Sequence, residues 1–183
     1  SGAVKLTPLT VLIGNNGSGK SSLVEALETV QAMVAGDIDR AMQLWRGIEH
    51  IRYKGKKPKF QHDDSGELRA QAALEFHLRG RLERRRFSAK IAINERGGAN
   101  EVFFQNEEVK LPNFSHERRD GMMRMTTRGR SSIESPDEYP ASQSILRRDL
   151  GGYIRRWQFL RLSPEEMGRP KPQTRSRTEI QLA

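Results

Sequence analysis

A chain of 183 residues, 35% hydrophobic and 30% charged, is long enough for one buried core yet must keep much of its length as solvated surface, loop or interface. It has no cysteine, which excludes a disulfide framework, thiolate metal sites and a cysteine nucleophile. The formal net charge of +9 is spread along the sequence, with concentrations at Arg46, Arg52, Lys54, Lys56, Lys57 and Lys59 and at Arg84-Arg85-Arg86 that read first as a solvated face or a face covering an acidic neighbour, and second as patches attracting polyanions.

The first element is Leu9-Thr10-Val11-Leu12-Ile13, a short β-branched run ending in glycine, which predicts a buried parallel strand. Behind a glycine-rich turn, Leu23, Leu27, Val30 and Val34 recur at helical spacing, predicting a helix from Lys20 to Ala35 stopped by Gly36. Asp37 is placed to cap a second short helix through Trp45.

The period then changes. Leu68, Ala70, Ala72, Leu74, Phe76 and Leu78 alternate as a half-buried strand with a turn at Gly80, and Phe87, Ala89, Ile91 and Ile93 alternate as its antiparallel partner. Gly97-Gly98 interrupts, and Val102 to Gln105 and Val109 to Leu111 flank a polar Asn106-Glu107 turn, giving a four-stranded meander. Residues 112–142 show no sustained period and read as a long connector. Leu146, Leu150, Ile154 and Trp157 return to helical spacing, weakened by Gly151-Gly152. Phe159 to Leu162 reads as a strand, and Arg169 to Arg177 as an extended basic tail.

The turn after the first run carries the chemistry. Gly14-Asn15-Asn16-Gly17-Ser18-Gly19-Lys20-Ser21 matches G-x-x-x-x-G-K-[ST] at every fixed position, between a strand and an amphipathic helix as the motif requires. Glycines let consecutive amides turn inward around phosphate oxygens, and the helix dipole reinforces the field. Lys20 is placed to bridge the β- and γ-phosphates, and the Ser21 hydroxyl to ligate magnesium. The expected cofactors are therefore ATP and Mg2+.

Asn16-Gly17 within the loop and Ser22 after it give G-x-N-G-x-G-K-S-S, which, with Pro8 to Ile13 before and Leu23 to Leu27 after, resembles the loop of ABC-type ATPases of the SMC, RecF and OLD-like group. Trp157-Gln158-Phe159-Leu160-Arg161-Leu162-Ser163-Pro164 is similar to a segment of predicted OLD-like/AAA ATPases. The resemblance implies an α/β fold, a P-loop NTPase head of ABC/SMC-like kind with an antiparallel β-subdomain after the first helix. That gives a phosphate-loop unit over 1–45, the β-subdomain over 51–111, a connector over 112–142, and a helix, strand and tail over 143–183. It further implies a homodimer of heads closing around two nucleotides. An effector, often a nuclease, would then act in DNA repair or in defence against foreign DNA.

In that group an apolar strand ending Asp-Glu and a glycine-containing signature complete hydrolysis. Neither is present, so the chain is expected to be the N-terminal part of a head, weak or inactive in hydrolysis by itself. Gln143, just before the late helix, is the best-placed candidate for the group's glutamine contact to magnesium or water, with Gln158 the poorer alternative. Two other readings remain open: a P-loop small-molecule kinase, and a nucleic-acid-binding module regulated by ATP through the basic patches.

The remaining constellations are structural. His50, His62, His77 and His116 are too scattered for a metal site, and Asp63-Asp64 and Glu165-Glu166 read as solvated pairs. Met122, Met123 and Met125 among arginines read as part of the basic connector. No apolar run approaches the ~20 residues needed to cross a bilayer, and no signal-peptide pattern opens the chain, so a cytoplasmic location without a membrane partner is expected.

Overall fold

A computed structural model of the chain describes residues 3–48, 60–62, 66, 68–70, 72–96, 101–119, 121–134 and 140–161. Helix α1 (Lys20–Ala35) ends where Gly36 donates its amide to the Ala32 carbonyl, and α2 (Ile38–Trp45) begins where the Asp37 carboxylate accepts from the Arg40 amide at 2.7 Å. Both helices occupy the spans their sequence signals predict. Eight strands follow: β1 (Phe60–His62), β2 (Leu68–Ala70), β3 (Leu74–Leu82), β4 (Arg85–Arg96), β5 (Glu101–Leu111), β6 (Phe114–Arg119), β7 (Met122–Thr127) and β8 (Arg130–Glu134). Two single turns, α3 (Leu146–Asp149) and α4 (Gly151–Ile154), close the described fold.

The strands make one antiparallel sheet in the order β1-β2-β4-β5-β6-β7-β8, with β3 also paired to β4. One face is apolar. Phe87, Ala89, Ile91 and Ile93 of β4, Phe104 and Val109 of β5 and Met123 of β7 pack against Val30, Met33 and Val34 of α1, Ile38, Ala41 and Met42 of α2, and Leu146, Leu150 and Ile154. Every buried residue of α1 lies between Thr29 and Val34, in the C-terminal half of that helix.

Several expectations are corrected. Gly80 does not turn the chain: it lies inside β3 opposite Phe87, whose ring sits 2.7 Å from where a Cβ would be. The turn is Glu83-Arg84, both at positive φ (48° and 68°), the two-residue geometry whose twist matches a hairpin. Asn106-Glu107 is not a turn but the middle of β5, and residues 68–78 form two strands rather than one. The expected connector 112–142 contains three strands, β6 to β8. Its alternation escaped notice because the inward positions include His116 and Arg118, polar groups that find buried partners. The late helix is split at Leu150 by Gly151-Gly152, although its stripe of Leu146, Leu150 and Ile154 is buried as the spacing predicts.

Two predicted strands are absent from the ladders. Leu9 to Ile13 runs without pairing, with Leu9 82% and Ile13 90% exposed, because no described strand lies beside it. Phe159 to Arg161 is likewise irregular, with Leu160 85% exposed. His50, Arg52 to Lys59, Asp63-Asp64, Gly97-Gly98, Glu165-Glu166 and the basic tail lie outside the described residues.

Candidate functional site

The segment Gly14 to Ser22 is exposed except for the partly covered Lys20, and joins the Leu9–Ile13 run to α1. Gly17 and Gly19 stand at φ 81° and 84°, left-handed conformations costing an L side chain about 1–2 kcal/mol. Between them the Ser18 amide donates to the Asn15 carbonyl at 3.2 Å. Gly14 lies close under Ser18, whose Oγ would be 3.1 Å from a Cβ there. The glycines are thus needed for backbone shape, not only for small size.

Gly19 is the N-cap of α1, and no side chain caps the helix. The Leu23 amide bonds the Gly19 carbonyl at 3.0 Å, so the amides of Lys20, Ser21 and Ser22 precede the first intrahelical bond at the positive end of the dipole. The Lys20 ammonium curls over the loop, donating to the carbonyls of Gly14 (2.6 Å) and Asn15 (2.7 Å) and to Ser18 Oγ (3.1 Å). Bare amides, a left-handed glycine pair and a cation over the same concavity suit a polyphosphate. Were Mg2+ bound as well, Ser21 at the helix start would be the loop hydroxyl positioned to ligate it.

Gln143 is not brought to this loop. The carbonyl of its neighbour Ser142 accepts from the Ile38 amide at 2.9 Å, and Gln143's own carbonyl accepts from Arg118 Nη2 at 2.8 Å. Both contacts lie at the far end of α1, whose sixteen residues span about 24 Å. The reason is packing: Ser144, Ile145 and Leu146 are completely buried and pin the residue before them over the sheet. Gln158, the poorer alternative, is exposed. It sits on a segment that runs back along α1, since Gln31 Nε2 donates to the carbonyls of Ile154 (3.1 Å) and Trp157 (2.8 Å) and Arg161 pairs with Glu28 at 2.7 Å.

A buried polar hub ties this segment to the sheet, and sequence reasoning missed it. Glu107 of β5 is fully buried. It accepts from Ser144 Oγ at 2.5 Å and from the Ile145 amide at 3.3 Å, and it pairs with Arg118 at 3.3 Å. Arg118 also donates to the carbonyls of Ala141 and Gln143 and stacks over the Phe104 ring. His116 bonds Asp149 at 3.0 Å. Burial raises the Glu107 carboxyl to about 7, outweighing the opposing pull of Arg118, Ser144, the Ile145 amide and His116. The only sequence signal was a pair of charges in strands that otherwise alternate.

Against this geometry, a protein-family model described as "AAA domain, putative AbiEii toxin, Type IV TA system" matches residues 9–167, most of the chain and all of the loop. The chain belongs to this family. Membership supports a P-loop ATPase-type function with ATP binding, typically with Mg2+. No curated protein and no solved structure matches the chain. No helix among the described residues is long and apolar enough to cross a membrane.

Proposed function

We propose that this chain supplies the nucleotide-binding part of an ATPase head of the ABC-type SMC/RecF/OLD-like group. The observation that carries the reading is the pair of left-handed glycines flanking Ser18, with Lys20 folded over the loop at the uncapped start of α1. In this reading the amides of Gly17 to Ser22 hold the phosphates, Lys20 neutralises them and Ser21 ligates Mg2+.

Leu9 to Ile13 is a second support. A β-branched run left exposed beside the phosphate loop suits a strand whose neighbours come from a further part of the head, which would also bring the acidic pair that the sequence lacks. Two such heads would close around two nucleotides. Their motion would drive an effector, such as a nuclease, in DNA repair or in cytoplasmic defence against foreign DNA. The toxin–antitoxin wording of the family description is in keeping with a defence role.

Sedimentation velocity tests the reading on the 183-residue chain. With magnesium and a fluorescent non-hydrolysable ATP analogue, the boundary of the protein should carry bound nucleotide, and Ser21→Ala should weaken that binding about tenfold through the metal. Turnover should stay negligible. Brisk magnesium-dependent hydrolysis by this chain, or phosphoryl transfer to a small molecule, would contradict it.

A further inference from the structure

One end of the sheet gathers exposed arginines. Antiparallel pairing places the turns β3–β4 (Glu83-Arg84), β5–β6 (Pro112-Asn113) and β7–β8 (Arg128-Gly129) at one end. The Arg128 amide donates to the Asn113 carbonyl at 2.9 Å, so the last two turns touch. This end displays Arg81, Arg84, Arg85, Arg86, Arg128 and Arg130, all exposed, none of whose side chains makes a hydrogen bond or ion pair with a described residue. Glu83 is the one carboxylate in the three turns, and nearby Glu108 is engaged by Lys110. At the opposite end Arg96 pairs with Glu101 at 2.9 Å.

Backbone conformation adds an independent observation. Arg84 (φ 68°) and Arg128 (φ 49°) occupy left-handed turn positions where asparagine or glycine fits without strain. Each arginine costs roughly 1 kcal/mol there, and the clustered like charges repel one another. Among the described residues no carboxylate side chain pairs with these arginines to relieve the repulsion.

We propose that this arginine-tipped end of the sheet docks on the phosphodiester backbone of a nucleic-acid duplex. Guanidinium groups fork onto phosphate oxygens more effectively than ammonium groups, and all six unpartnered cations are arginines. The β3–β4 and β7–β8 tips are four strand spacings apart, about 19 Å, which covers five or six base steps at ~3.4 Å each. A single strand would need stacking platforms, whereas the aromatic residues nearest these turns, Phe87 and Phe114, are buried and half-buried. An anionic membrane would want apolar side chains beside the cations, and none of the large exposed hydrophobics lies in these turns. The surface is separate from the phosphate loop and stands whether or not the ATPase reading does.

Fluorescence anisotropy with the 183-residue protein and labelled 30-base-pair DNA and RNA duplexes tests the proposal. Arg84→Ala/Arg85→Ala/Arg86→Ala should weaken binding at least tenfold and lower the salt slope by about 2–3. Arg128→Ala/Arg130→Ala should weaken it about fivefold. The relative affinities of the two duplexes show which nucleic acid is preferred. These side chains hold nothing in the fold, so circular dichroism should show each variant folded. Absence of duplex binding at low salt would overturn the proposal, as would unchanged affinity in both arginine variants. So would tighter binding to a single strand, to phosphatidylserine vesicles or to an acidic polypeptide.

Discussion

Two short segments bearing large aliphatic side chains meet opposite fates in this molecule. Leu9 to Ile13 lies in the open, Ile13 90% exposed, whereas Ile145, Leu146, Leu150 and Ile154 are all at or below 1%. The second stretch is enclosed because the chain supplies both walls: the inner face of the sheet on one side and the C-terminal half of α1 on the other. The first stretch borders the N-terminal half of α1, which has no described sheet to rest on. Hydrophobic sequence thus sets the tendency to be buried, while available partners decide whether it happens. The phosphate loop sits at the boundary, formed by local backbone rules and largely independent of the core.

The sharpest way to break this contrast is truncation on both sides of it. Leu150→Ala should cost about 2–5 kcal/mol in urea unfolding, and Ile13→Ala less than about 0.5, since only the former opens a cavity. Equal losses would mean that the exposed run is packed in solution.

Titration of the buried hub is the next largest effect. With its folded value near 7, above the ordinary 4.5, the Glu107 carboxyl holds a proton more readily folded than unfolded. Stability is therefore greatest below about pH 4.5 as far as this group is concerned, and it falls as pH rises through 7. The loss is on the order of 2–3 kcal/mol between pH 5 and pH 8. Glu107→Gln keeps the shape and should flatten most of that slope; an unaltered slope would remove Glu107 as its source.

Smaller effects refine the edges of the packed region. Gly80→Ala forces a methyl against the Phe87 ring and should cost about 1–3 kcal/mol in thermal unfolding. Asp37→Ala removes the cap of α2 and should cost about 1 kcal/mol. A neutral result at Gly80 would show that the ring swings aside without loss.

What the sequence made legible follows the range of the forces involved. The phosphate loop, α1 and α2 depend on glycine, capping and helical periodicity within a few residues, and all could be read directly. The stripe of Leu146, Leu150 and Ile154 was equally visible. Strands β6 to β8 were hidden because Arg118 and His116 of β6 point inward, where Arg118 meets Glu107 across the hairpin and the carbonyls of Ala141 and Gln143, and His116 meets Asp149. Gln143 was misplaced for the same reason: proximity to a helix start says nothing of which end of α1 that helix meets. The run Arg84-Arg85-Arg86 was visible in the sequence, but that Arg128 and Arg130 share its end of the sheet emerged only with the turns at 83–84 and 128–129.

Isothermal titration calorimetry of the 183-residue chain with Mg-ATP bears most directly on the central claim that Gly14 to Ser22 with Lys20 is a polyphosphate cradle. The account predicts a saturable heat with the wild type and affinity at least tenfold weaker, about 1.4 kcal/mol, with Lys20→Ala. No heat with any magnesium nucleotide, or identical isotherms for the two proteins, would contradict it.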